Sequence, residues 1–438
     1  MHILFLTDNF PPEVNAPASR TFEHCREWVK AGHKVTVITG APNFPAGKVF
    51  DGYANKWRTR ETLQGIEVTR VWTYISANEG FLKRTLDYAS FMISGALAAL
   101  GVRDVDVIVA TSPQLFTPCA AYVAGLLKRR PYIFELRDLW PESIRAVGAM
   151  KNAWILNALE RLELFLYRRA AQVVSVTHAF KDNLIVRGIE ATKISVVTNG
   201  ADLARFAPRP RDEALAATLG LSGKTVIGYV GTHGMAHALT TVLDAAELLK
   251  ATDVGGGVRF LLLGDGAEKA ALKADAEARK LDNVVFADSV PRSEVVRYWS
   301  LIDLSVIHLK RTPLFETVIP SKLFECMAMG IPVLHGVAGE SATIVRREGV
   351  GVTFEPENAG ALAGSIAGLV GDPERRVEMA RNAMAAVRRY NRAELAAAML
   401  KTLERVSAGS MAPTAPATTE VTATKRPLPG KHYGSAAS

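Results

Sequence analysis

The feature that most constrains this chain is a series of short β-type runs, separated by helical patterns, from one end to the other. The first half offers "HILFLTD", "KVTVITG", "IEVTRVWT", "DVIVAT", "YIFELRD", "QVVSVTH" and "ISVVTNG". The series then restarts with "TVIGYVGTH", "RFLLLGDG", "NVVFADS", "LSVIHLK", "IPVLHG" and "GVTFE". Apolar strands without alternation are buried on both faces, and helices between them make the sheets parallel. The expectation is an α/β chain of two doubly wound domains, residues 1–200 and 201–385. The boundary falls in "NGADLARFAPRPRDE", where glycine, prolines and charges break the pattern. A length of 438 residues suits two such cores.

Beyond Pro373 the pattern is helical to about Val406, with a break around Tyr390-Asn391-Arg392. Residues 407–438 are rich in Ala, Thr, Pro and Ser and predict a flexible tail. The start "MHILFL" reads as a strand and not a signal peptide, because Asp8 interrupts it and no cleavage region follows. The uncharged run Tyr88 to Val102 has 15 residues and is too short to span a bilayer. Three scattered cysteines fit a reducing cytosol and lack metal-ligand spacing. Lys and Arg outnumber Asp and Glu by 24 to 18 in residues 1–199, against 28 to 26 in the rest. The excess in the first half points to an acidic partner there, such as lipid headgroups or a phosphate.

Ligands of open parallel sheets bind beyond the carboxyl ends of strands. The stretches to inspect are therefore Thr7 to Arg20, Thr111 to Pro113, Arg137 to Glu142, Gly231 to His237, Gly264 to Gly266, and residues 310–325. In "GYVGTHGMAHAL", Gly231 and Gly234 either admit a phosphate beside a helix N-terminus or pack a strand tightly against a helix. The loop is neither a dinucleotide fingerprint nor a Walker loop. Gly264 and Gly266 of "LLLGDG" make room for something flat or simply turn the chain.

"PSKLFECMAMG" is more informative. Pro320 cannot continue a helix backwards, Ser321 is a good N-cap, and Gly330 with Pro332 stops the helix. Lys322 and Glu325 share a face, which reads either as a solvated ion pair or as a ligand site. A lysine has the wrong charge for a helix start, and a bound phosphate resolves the misfit. "ELRDLWPES" places Arg137, Asp138, Trp140 and Glu142 past a strand end, as a carbohydrate or nucleotide contact or as a packed turn. Asp104 and Asp106 precede their strand and are rejected as a metal site. The stretch 81–101, headed by Lys83 and Arg84, reads as a buried helix or as one that docks on anionic lipid.

Together these motifs resemble the family-four retaining glycosyltransferases of the GT-B fold, over roughly residues 1–406. The stretches carrying the likeness are "HILFLTDNFPPEVNAPASR", "LWPE", "VVTNGADLARF", "GYVGTHG", "LLLGDG" and "PSKLFECMAMGIPVL". "DNFPPEVNAPASR", "SPQLFTP", "RDLWPES" and "PSKLFE" are most similar to the WbuB-type branch, which includes N-acetyl-L-fucosaminyl transferases of cell-surface polysaccharide assembly.

The resemblance implies roles for particular residues. Glu325 matches the second glutamate of the E-x7-E motif, which holds the ribose, and Lys322 the basic residue near the diphosphate. Gly231, Thr232, His233 and Gly234 match the donor-phosphate loop. Gly264 and Gly266 match the region beside the base, and Pro320 and Ser321 lead into the donor helix. Thr317 occupies the first-glutamate position, with Glu316 one residue before it. Thr232 and His237 stand where the family carries cations, and Arg137 where a histidine is common. Arg137 and Asp138 are carried as catalytic candidates with Lys322 and Glu325. Asn15 and Ala16 match the first-domain glycine loop and, with Arg20, Ser112 and Trp140, make up the expected acceptor side. Residues 386–406 are expected to cross back onto the first domain.

The resulting expectation is transfer of a sugar, with retention and without metal or cofactor, from a UDP-linked donor to a lipid-linked or growing saccharide. The enzyme would sit at the cytoplasmic membrane face, its first domain on anionic lipid, with no nucleic-acid partner. A nucleotide-sugar 2-epimerase of the same fold and a non-catalytic two-lobe binding protein are the alternatives.

Overall fold

The computed structural model describes residues 1–44, 47–75, 81–146, 150, 152–291 and 293–409. Most of the expected tail, 410–438, lies outside them.

The first eight strands are β1 (His2–Leu6), β2 (Lys34–Gly40), β3 (Arg58–Leu63), β4 (Ile66–Val71), β5 (Val107–Thr111), β6 (Tyr132–Leu136), β7 (Gln172–Ser175) and β8 (Ile194–Val196). They form one sheet in the order β3-β4-β2-β1-β5-β6-β7-β8. The next six are β9 (Thr225–Val230), β10 (Val258–Leu263), β11 (Val284–Ala287), β12 (Leu304–His308), β13 (Val333–Gly336) and β14 (Gly351–Thr353). Their sheet runs β11-β10-β9-β12-β13-β14, and all its pairings are parallel. Each first strand is central, so the strand order reverses between β1 and β5 and between β9 and β12. Crevices open at such reversals.

Every apolar run named above became a strand. The strand missed is β3, "RTRETL", which pairs antiparallel with β4 at the sheet edge. It has no apolar pattern because both its faces are largely exposed. Its signal was the turn, where Gln64 and Gly65 both take positive φ, as a tight hairpin requires.

Helices cover both faces of each sheet. On one side of the first sheet, the helix Ala16–Lys30 packs with the closing helix Arg392–Ser407. Trp28 Nε1 donates to the Ala396 carbonyl at 2.9 Å, and Met399, Leu400 and Leu403 enter the core with Ile3 and Phe5. The chain passes between the sheets at 197–202 and again at 390–392, and the two passages are hydrogen-bonded. Ala201 N–H donates to the Tyr390 carbonyl (3.0 Å) and Arg392 N–H to the Ala201 carbonyl (2.9 Å). Gly200 is needed there, since a Cβ would lie 2.1 Å from the Tyr390 oxygen.

The two carboxyl edges meet across a cleft. Leu314, past β12, is buried in a first-domain cluster that includes Leu139, Trp140 and Phe180. Glu340 accepts from His178 N–H (3.1 Å) and Ala179 N–H (2.8 Å), capping the first-domain helix His178–Val186 from the second domain. Among the described residues no helix is long and apolar enough to cross a membrane.

Candidate nucleotide-sugar site

The helix Lys322–Met329 buries Leu323, Phe324, Cys326, Met327, Ala328 and Met329, and leaves Lys322 and Glu325 on its partly exposed side. Ser321 does not cap it, contrary to expectation. Its backbone is already helical, and the first turn closes instead through Leu323 N–H to the Pro320 carbonyl (3.0 Å) and Phe324 N–H to the Ser321 carbonyl (3.1 Å). Gly330 ends the helix in the left-handed region, as its position suggested.

Lys322 Nζ is buried, without a hydrogen-bond partner, 3.8 Å from the centre of the Tyr229 ring. The ring face attracts the ammonium but satisfies none of its N–H groups. Burial pushes Lys322 down to about 8, partly offset by Cys326 and Glu325. A Cβ on Gly231 would lie 3.0 Å from this nitrogen, so the glycine leaves the ammonium open to the loop after β9.

That loop is fixed from below. Gly231 N–H donates to the Leu263 carbonyl (2.9 Å) and His233 N–H to the Asp265 carbonyl (2.8 Å). Gly264 (φ +147°) and Gly266 (φ +155°) cross so closely that a Cβ would meet the Gly231 oxygen at 1.9 Å and the His233 oxygen at 2.5 Å. Gly264 and Gly266 therefore serve a close backbone crossing, where room for something flat or a simple turn was expected. Gly234 has open space, with the Thr232 methyl at 3.5 Å as its nearest neighbour. The following helix begins only at Thr240, after a 3-10 turn, so its N-terminus is not continuous with the loop.

Tyr229 lies between His233 and His237, with ring centres at 5.8 and 5.9 Å. Burial, with nearby Lys269 and Lys322, holds His233 down to about 4; burial and Lys322 hold His237 down to about 3. Both are neutral at pH 7. His308 accepts at Nε2 from Glu357 N–H (2.9 Å) and so donates from Nδ1 to the His237 carbonyl (2.8 Å). Glu316 is exposed in the turn Phe315–Thr317, and Thr317 Oγ1 is engaged with the Leu314 carbonyl at 2.6 Å.

On the first domain, Asn15 caps the helix Ala16–Lys30 through Ala18 N–H (2.9 Å), and Ala16 opens that helix exposed. Ser112 Oγ accepts from the backbone N–H of Arg137 (2.8 Å) and Asp138 (3.2 Å), which makes it a positioning group. Burial raises Asp138, and Arg137 is partly exposed at the cleft. Two acceptor-side expectations are corrected. Arg20 is fully buried and pairs with Glu135 (2.8 Å) while donating to Val197, Thr198 and Asn199, so it braces the domain. Trp140 belongs to the hydrophobic core and is only 7% exposed.

Tyr229 and Glu340 were not singled out from sequence. A tyrosine inside the apolar run "TVIGYVG" was the one available signal for the first. The second has none, since its partners are 161 and 162 residues away.

Two family models match consecutive parts of the chain: a glycosyl transferase 4-like domain over residues 15–200, and glycosyl transferases group 1 over residues 211–385. The putative colanic acid biosynthesis glycosyl transferase WcaI of Escherichia coli K12 is 26% identical over 385 residues, 84% of this chain and 91% of that protein. A GDP-mannose-dependent alpha-mannosyltransferase of Mycobacterium tuberculosis is 24% identical over 388 residues, 88% and 92% of the two chains. Among solved structures, Anabaena Alr3699/HepE in complex with UDP and glucose superposes with a TM-score of 0.69 at 19% identity, covering 92% of this chain and 99% of that one. The paired parallel sheets and the two consecutive matches, which together span most of the sequence, agree: the chain belongs to the group 1 glycosyltransferases of the GT-B fold, a retaining family.

Proposed function

We propose that this enzyme transfers a sugar from a nucleoside-diphosphate donor to a lipid-linked or growing saccharide in cell-surface polysaccharide assembly. The observation that carries the reading is the unpartnered Lys322 ammonium, buried at a helix start and facing the Gly231 loop. Departure of a nucleoside diphosphate concentrates negative charge on its phosphates, and a preformed cation in a dry cleft stabilises that charge without reorganising. Glu325, one turn on, is assigned to the ribose hydroxyls. With neutral His233 and His237 beside it, Lys322 is the principal cation of this pocket. The relative WcaI, named for colanic acid biosynthesis, supports the polysaccharide context. HepE with bound UDP favours a UDP-sugar as the donor.

The value of about 8 for Lys322 sets a pH dependence. An anionic donor binds the charged lysine better, so its affinity should be level below pH 8. Above that it should weaken, by at most tenfold per pH unit, as the free enzyme loses this proton. Titrating UDP-glucose and GDP-mannose by calorimetry from pH 6 to 9.5 checks both the base and the slope. A flat profile for the tighter nucleotide would remove Lys322 from the phosphate site.

The acceptor side is assigned to an anionic bilayer surface. On the helix Phe81–Leu100, Leu86, Ile93, Leu97 and Leu100 are exposed at helical spacing, and Leu126 and Leu127 are exposed on the adjoining helix Phe116–Lys128. Exposed Lys83, Arg84, Arg129 and Arg130 flank these residues in sequence, so apolar surface and positive charge occur together, as lipid binding requires. The charge-reversed pair Lys83→Glu and Arg84→Glu should sediment several-fold less with phosphatidylglycerol vesicles than wild type. Equal sedimentation would count against this surface.

A further inference from the structure

The carboxyl end of β6 carries a cation that handling of the donor diphosphate leaves unused. Arg137 is held by its backbone on Ser112, and among its side-chain nitrogens Nη1 alone has a partner, the Pro17 carbonyl at 3.1 Å. The carboxylate whose charge acts on it, Glu135, is 1% exposed and already paired to Arg20 at 2.8 Å. Arg392 brings a third guanidinium, which pairs with Glu23 at 3.3 Å. Around Arg137 the charges of Arg20 and Arg392 therefore oppose its own, and Glu135 favours it. Burial and these like charges push Arg137 down to about 9, and it remains protonated at neutral pH. A part-buried cation with one hydrogen bond and a shared counter-ion is costly until an anion reaches it.

Its place makes that anion a substrate group. The Arg137–Trp140 stretch follows β6 directly, and Leu314 of the opposite domain packs in the cluster that holds Leu139 and Trp140. Arg137 thus lines the same cleft as the loop leading to Lys322. The two cations nevertheless stand on opposite domains, Arg137 after β6 and Lys322 at the start of the helix Lys322–Met329. One nucleoside diphosphate on Lys322 leaves Arg137 unmatched. A guanidinium fork suits planar or tetrahedral oxyanions and is poorly suited to a neutral hydroxyl.

We propose that Arg137 is a specificity determinant that seats a second oxyanion, a carboxylate or phosphate, borne by the transferred sugar or by the acceptor. The proposal rests on the glycosyltransferase reading and goes beyond it in naming an acidic substrate.

The test compares wild type, Arg137→Gln, Arg137→Lys and Lys322→Ala by calorimetry, with melting curves as the check on folding. A donor-borne acid predicts that UDP-glucuronate binds wild type at least tenfold tighter than UDP-glucose, and that the preference vanishes in R137Q. An acceptor-borne phosphate predicts that the UDP complex binds farnesyl phosphate at least tenfold tighter than farnesol, again lost in R137Q. R137K, which keeps the charge but not the fork, should retain only part of either preference. Absence of both preferences in wild type overturns the proposal whatever the variants do, and so does a preference that survives in R137Q. Binding of UDP itself should depend on Lys322 and not on Arg137. A wild type that binds UDP but shows neither acid preference therefore sinks this inference alone, whereas absence of UDP binding in wild type sinks the underlying function.

Discussion

Lys322→Ala should lower the turnover of sugar transfer by roughly 10²–10³-fold, the usual cost of removing one preorganised group that stabilises developing charge. Neighbours offer little compensation, because burial and Lys322 itself keep His233 and His237 neutral. Removing Lys322 relieves part of that pressure, but burial is the larger cause in both, so neither becomes a cation at neutral pH. The fold should not suffer. Lys322 titrates lower in the native chain than the ordinary lysine value. Between about pH 8 and that value the unfolded chain holds a proton that the native chain has lost, so stability rises with pH through this window. Below it both states are protonated, and the native state bears the full cost of a buried charge. An uncharged residue of similar length removes that cost. Lys322→Met should therefore melt no lower than wild type at pH 7 while sharing the loss of turnover. Steady-state kinetics beside thermal melts at pH 7 checks both. Near-normal turnover in either variant, or a melting point far below wild type, would mean that Lys322 serves the fold and not the reaction.

Gly264→Ala is expected to do the reverse and damage the frame under the site. The glycine has φ +147°, a conformation L side chains rarely adopt, and its Cβ would lie 1.9 Å from the Gly231 oxygen. Both sides of that clash are backbone, so no rotamer change relieves it. One of the two loops must move, and Gly231 borders the Lys322 ammonium. Backbone strain and overpacking together amount to about 2–5 kcal/mol. For a domain of this size that lowers the melting point by roughly 5–15 °C. Nucleotide binding should fall with it, even at temperatures where the variant stays folded. Gly256→Ala is the control, because a Cβ there meets nothing within 4 Å and its φ is not positive. It should change stability by less than about 0.5 kcal/mol. Melting curves with and without UDP separate the two effects, and a Gly264→Ala protein that melts like Gly256→Ala would refute the close crossing.

The class of fold was legible because burial on both faces writes itself into local sequence. A strand such as "HILFL" or "DVIVAT" must be apolar at successive positions, and the two series announced two sheets. Its limit shows at β3, an exposed edge whose residues obey no such demand. The candidate site on the second domain could be proposed from sequence for a similar local reason. A lysine at the start of an otherwise buried helix conflicts with the helix dipole, and that conflict can be seen from eight residues. The N-cap assigned to Ser321 failed because capping depends on the backbone angle at which the chain enters the helix, and the preceding 310–320 segment fixes that angle.

On the first domain the same kind of reading faltered. Arg20 and Arg137 are both arginines beside a cleft-facing edge, and nothing local separates them. In the fold, Arg20 is consumed by Glu135 and by carbonyls 177 and 178 residues away, while Arg137 keeps most of its guanidinium open. Local sequence specifies the two parallel sheets, places Lys322 and Glu325 on one helix start, and carries the likeness to the family. That a tyrosine ring lies under the ammonium, that Glu340 caps a helix of the opposite domain, and which arginine lacks a matched charge all follow from contacts between residues distant along the chain. Apolar periodicity and dipole conflicts are set by neighbours along the chain, whereas desolvation and ion pairing are set by neighbours in space.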